Sequence, residues 1–167
     1  MARKNKGATM NKPKWRIVEI RRNFGLMPNH KAHIILSDGR KIEHSDYSCR
    51  HVFFVDGYCV KVGQSQCQEE AAVWAKLSNY DKRYFAKFIA VFYADGYWVS
   101  IQKHIEGFIE RGDLEDEYPY KLRYIDELAE KLSRKYNLDD VDDNYRNYGI
   151  DKDGKFKIVD YGISSDV

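Results

Sequence analysis

The chain has 167 residues and a formal net charge of +2, and it is 43% hydrophobic and 32% charged. That length predicts one ordinary domain with tails rather than a large multidomain enzyme, and the apolar share suffices for a core, which argues against disorder along the whole chain. The net charge is too small to demand a nucleic-acid partner.

No run approaches the roughly 18 apolar residues of a spanning helix, so no membrane partner is expected. The basic start, MARKNKGATMNKPK, leads into no apolar stretch of the secretory kind. Three cysteines (Cys49, Cys59, Cys67) make an odd number without a CxxC pair, which argues against a disulfide framework and for a cytoplasmic protein. The charge is segregated: residues 1–14 carry Arg3, Lys4, Lys6, Lys12 and Lys14 and no acid, giving +5, and the remainder sums to −3. This arm is expected to be a solvated, flexible tail. Nucleic-acid binding through the arm, which runs into Trp15, is its less favoured use.

The elements follow in chain order. WRIVEI and HIIL are apolar, β-prone runs, and after the turn at Ser37-Asp38-Gly39-Arg40 the run KIEH continues as a strand. HVFFV and YCVKV flank Asp56-Gly57, a strong hairpin signal. Residues 65–78 are good helix formers with an apolar stripe at Ala71, Val73, Trp74 and Leu77. A second hairpin follows, with Asp95-Gly96 between AKFIAVFY and YWVSIQKHI. The acidic run GDLEDE is expected to be a solvated loop. Residues 118–136 form an amphipathic helix, with Pro119 near its start and Leu122, Ile125, Leu128, Ala129 and Leu132 on one face. YGI and KFKIVDYG close the chain as a short hairpin. The expected fold class is α+β with a mainly antiparallel sheet.

Four polar features carry chemistry. Lys61 lies between Val60 and Val62, where an ammonium must find an anion. Glu69 and Glu70 open the next helix. Asp142 and Asn147 form D-x-x-x-x-N after the long helix, and Asp160 precedes Tyr161-Gly162 at the end of the last apolar strand. Each has a plain alternative: a snorkelling Lys, a solvated helix-start Glu, a capping cluster, a turn Asp. Taken together in this order they are the set phosphoryl transfer uses. The Lys neutralises phosphates, the Glu holds the Lys, Asn and Asp offer the hard oxygens Mg²⁺ prefers, and the other Asp orients the acceptor hydroxyl.

With these residues in place the chain resembles the protein-kinase-like superfamily, over residues from about 30 to 162. VFFVDGYCVKV resembles the strand pair ending in the nucleotide lysine, and QEEAAVWAKL resembles the first helix, with Glu70 as ion-pair partner. YWVSIQKHIEG resembles the strand running into the hinge, which implies that backbone groups of Gln102, Lys103 and His104 face an adenine. YNLDDVDDNYRNYGI resembles the catalytic loop, implying Asp142 as catalytic base and Asn147 as metal ligand. KFKIVDYG resembles the Asp-Phe-Gly element, with Tyr161 in place of Phe and Asp160 as the second metal ligand.

The resemblance implies ATP and Mg as cofactors and a kinase-like phosphotransferase acting on a protein Ser or Thr or a small-molecule hydroxyl. The alternative is a pseudokinase that binds and modulates a partner protein. The layout implied is a flexible arm at 1–14, an antiparallel lobe with one helix at 15–103, and a minimal second lobe at 104–167. Three departures accompany it. Asp140-Val141 stands where His-Arg usually precedes the catalytic Asp. No G-x-G-x-x-G precedes Lys61, so Ser45, Ser48 or Arg50 must serve the phosphates. The chain ends five residues after Gly162, where the family's activation segment begins, so the usual peptide platform is not expected.

Overall fold

In the computed structural model, which describes residues 11–24, 30–45, 50–138 and 147–161, both expected hairpins form around their Asp-Gly turns. Asp56 and Gly57 take φ of 52° and 80°, and Asp95 and Gly96 take 46° and 89°. Positive φ at both central residues is the type I′ turn, whose twist matches that of paired antiparallel strands.

The strands β1 (Ile17–Phe24), β2 (His30–Leu36) and β3 (Lys41–Ser45) form a three-stranded antiparallel sheet in sequence order. A second antiparallel sheet joins β4 (His51–Val55), β5 (Tyr58–Gly63), β6 (Phe88–Ala94) and β7 (Tyr97–Lys103) in the order β4-β5-β7-β6. The helix α1 (Ser65–Lys76) connects β5 to β6 by way of a short 3₁₀ turn, Asp81–Tyr84. The two sheets share a core that contains Ile20, Ile34, Leu36, Phe53, Val60, Val62, Val99 and Ile101. Burying a side chain of this kind stabilises the fold by about 1.5–3 kcal/mol each.

Trp15 belongs to this core at 8% exposure, and its indole N–H donates to Asp56 Oδ2 at 3.0 Å. The ring that ends the basic arm is therefore a structural anchor and is not presented for stacking on a base.

A third sheet is built from β8 (Ile109–Glu110), β9 (Tyr148–Ile150) and β10 (Phe156–Ile158), all antiparallel in the order β10-β9-β8. The helices α2 (Arg111–Glu117) and α3 (Pro119–Tyr136) precede β9 in the chain. Pro119 occupies the first turn of α3, where its missing N–H costs nothing. The helix ends at Asn137, left-handed at φ 57°, a common helix stop. Val73 of α1 and Leu77 just after it join Phe85, Leu114, Ile125, Ala129, Leu132, Tyr148, Ile150, Phe156, Ile158 and Tyr161 in a second core.

Gly149 is required at its position, because a Cβ there would lie 1.9 Å from the Ile109 carbonyl oxygen. The bare backbone lets β8 approach β9.

The α+β class with antiparallel sheets is as expected, in three sheets rather than one. The acidic run GDLEDE corrects the loop expectation. It is helix α2, pinned by fully buried Leu114 and by Arg111, whose Nε and Nη2 donate to Asp126 at 3.2 and 3.0 Å. The stripe of α1 also differs in detail: Val73 and Leu77 are buried while Ala71 and Trp74 are half-buried, and the buried face continues through Glu70 and Cys67. No helix among the described residues is long and apolar enough to cross a membrane.

Candidate functional site

Strand alternation decides which way Lys61 faces. Val60 and Val62 enter the inter-sheet core, so Lys61 and Cys59 point to the opposite side of the sheet. There Lys61 Nζ lies 3.2 Å from both Oε1 and Oε2 of Glu70 and donates to the Val159 carbonyl at 2.8 Å. It is also 3.8 Å from Asp160 Oδ1. Lys61 is 4% exposed and Glu70 is fully buried, so neither is a solvated surface charge.

Arg50, immediately before β4, completes the cluster. Its Nη2 donates to Asp160 Oδ1 at 2.5 Å and its Nη1 pairs with Glu70 Oε1. Sequence reasoning gave Arg50 a phosphate-facing role. Its guanidinium instead bridges two carboxylates. The signal for this was Gly63, directly after the V-K-V run. A Cβ at that position would lie 2.6 Å from Arg50 Cγ, so glycine leaves room for the arginine stem to cross β5.

Two cations thus face two carboxylates, and the cluster is neutral in sum. Burial opposes the charge on Arg50, but Glu70 and Asp160 outweigh it and raise its pKa. Burial likewise works against the Asp160 anion, and Lys61 with Arg50 overcomes it, holding that carboxyl down at about 2. At Glu70 burial wins and its pKa is raised, with Lys61 and Arg50 limiting the rise. Such a cluster holds together only while each charge keeps its partner, since an unmatched buried charge is expensive.

The cluster borders a cavity of about 490 Å³. Its lining comes from the β4-β5 hairpin (Val52, Phe54, Cys59, Lys61), from β7 and its exit (Gln102, Lys103, His104, Ile105), and from Asn147, Val159 and Asp160 around the last hairpin. Asn147 is tied to the segment after β10 that carries Asp160, its backbone carbonyl accepting the Val159 N–H at 2.8 Å. Burial pushes the Cys59 thiol up to about 11, so it stays protonated at neutral pH and is no nucleophile.

Of the sequence-predicted residues, Lys61, Glu70, Arg50 and Asp160 are in mutual contact, and Asn147, Gln102, Lys103 and His104 share the cavity with Lys61 and Asp160. Ser48 and Asp142 lie outside the described residues. The hinge expectation meets a competing demand. The Lys103 N–H donates to the Lys87 carbonyl at 2.8 Å and the His104 N–H to the Gly57 carbonyl at 2.9 Å, so both donors are in use. The Gln102 amide N–H₂ donates to Val159 O at 2.9 Å, which makes the Val159 carbonyl a shared acceptor that sequence reasoning missed. Tyr161 is fully buried, donates its hydroxyl to the Ala86 carbonyl at 3.0 Å, and packs edge-on to Phe85.

Asp160 and Asn147 set the donor chemistry on offer to a metal. No cluster of three His, Cys, Asp or Glu suited to a metal occurs among the described residues. One carboxylate and one amide lining the same cavity suit Mg²⁺, which takes one or two carboxylates and completes its shell with phosphate and water oxygens. Compared with known proteins, the sequence matches no protein-family model and no curated protein.

Proposed function

We propose that the chain is an ATP- and Mg-dependent phosphotransferase of minimal protein-kinase-like form, with a protein Ser or Thr or a small-molecule hydroxyl as acceptor. The observation that carries this reading is the buried Lys61–Glu70 pair, with Lys61 3.8 Å from Asp160 and sharing one cavity with Asp160 and Asn147. A nucleotide lysine needs an anion to orient it, and Glu70 supplies one at 3.2 Å. Lys61 would bind the phosphates, and Asn147 and Asp160 would hold Mg²⁺, which when bound neutralises charge on the transferring phosphoryl group. Asp142 would orient the acceptor hydroxyl and take its proton. The apolar wall of Val52, Phe54 and Ile105 would receive the base.

The second reading is a pseudokinase that binds and modulates a partner protein without transferring phosphate. The grip of Arg50 on Glu70 and Asp160 favours it, because the charges transfer would use are already matched.

Isothermal titration of the whole chain with ATP, with and without Mg²⁺, tests nucleotide binding. Binding is expected in the wild type and weakened at least about tenfold in Lys61→Met, which removes one charge-assisted contact. Equal binding by the two proteins, or none by either, removes the phosphotransferase reading. MgATP binding without transfer to any hydroxyl selects the second.

A further inference from the structure

We infer that Arg50 takes the place of a second divalent cation beside Asp160, so that the site holds one metal ion per nucleotide. The inference rests on the nucleotide reading above and goes beyond it in fixing the metal count.

A carboxylate that serves two metal ions commonly gives one oxygen to each. Asp160 Oδ1 is already occupied, with Arg50 Nη2 at 2.5 Å and Lys61 Nζ at 3.8 Å. Its side chain remains 36% exposed and lines the cavity, where its second oxygen would serve one metal ion.

Arg50 is built in rather than draped over the site. Its side chain is 7% exposed, its other amino group is paired with fully buried Glu70, and its stem passes where Gly63 has no Cβ. A guanidinium does not lose its proton in a protein, so the charge is permanent. Its planar fork reaches two carboxylates at once, which an ammonium does not do. A second dication at this carboxylate would sit against the guanidinium and the Lys61 ammonium, like charges with little water between them. Arg50 therefore supplies positive charge where a second metal ion would otherwise supply it. This also gives a use to the arginine just before β4, in a stretch with no glycine-rich phosphate loop.

Native mass spectrometry of the full chain with ATP and Mn²⁺ counts both ligands on each molecule. The wild type is expected to carry one Mn²⁺ with each ATP. Arg50→Met, which removes the charge, is expected to carry two. If Arg50→Met does not fold by circular dichroism, Gly63→Ala replaces it, since it displaces the Arg50 stem and should yield a two-Mn²⁺ population. Two Mn²⁺ per ATP on the wild type, or a single Mn²⁺ on every folded variant, overturns the inference and leaves nucleotide binding standing. A wild type that retains no ATP removes the nucleotide reading, and the inference falls with it.

Discussion

Replacing Arg50 by Met probes the charge cluster most severely. Met fills much of the same volume, so the change is chiefly electrostatic. Glu70 is fully buried and would keep only Lys61, while Asp160 would lose its 2.5 Å partner. Removing one partner from a buried ion pair costs about 3–5 kcal/mol. Against a domain stability of about 5–15 kcal/mol, that is a fifth or more of the total. For a chain of this size it corresponds to a fall in melting temperature of roughly 6–20 °C. The loss should depend on pH with a definite sign. Burial already raises the Glu70 pKa, and removing a cation raises it further. The folded variant then binds more protons than its unfolded chain, so its stability falls as pH rises above the ordinary Glu range. Urea unfolding followed by tryptophan fluorescence at pH 5 and pH 8 should show a larger deficit at pH 8. A deficit below about 1 kcal/mol, small beside the cost of breaking a buried pair, or one equal at the two pH values, would refute the cluster as described.

Three other outcomes follow from the same geometry. Gly63→Ala places a methyl 2.6 Å from Arg50 Cγ and should lower stability by about 1–3 kcal/mol in urea titration, as overpacking does. In Gly149→Ala the new Cβ meets the Ile109 carbonyl at 1.9 Å, so β8 must leave β9, with a cost of similar size and faster hydrogen exchange of the Ile109 and Glu110 amides. Asp160 has its pKa depressed from 3.8 to about 2 by Lys61 and Arg50, against the opposing effect of burial. It therefore contributes stability that is fully present above about pH 4 and lost as pH falls toward 2, and Asp160→Asn should flatten that part of the acid-unfolding curve.

How far the sequence discloses the molecule varies with the range of the interaction. The two long hairpins were legible because Asp-Gly between β-prone runs is a local signal that demands positive φ at both residues. The long helix was legible from its 3-and-4 spacing: Ile125, Ala129 and Leu132 are buried, while Leu122 and Leu128 are half-buried and Ser133 joins the buried face. Helix α2 was not, because Leu114 is a lone apolar residue among acids and one residue has no period. Lys61, Glu70, Asn147 and Asp160 were picked out by their order, and the fold brings them to one place. The role of Arg50 was hidden, since its partners lie 20 and 110 residues away and Gly63 gives it room only in three dimensions. The hinge was read from one strand alone. The Lys87 and Gly57 carbonyls that occupy its N–H groups come from elsewhere in the chain.

The central claim is phosphoryl transfer, and the direct measurement is release of the terminal phosphate of labelled ATP to a hydroxyl. The wild type, Lys61→Met, Asp160→Asn and Asp142→Ala would each be incubated with MgATP, alone and with a mixed protein substrate. The account predicts label on protein with the wild type. It predicts a loss of about 10²–10³-fold or more in each variant, the usual cost of removing one charged contact to the reacting group. Transfer of equal extent by the wild type and the Lys61 and Asp160 variants would contradict it.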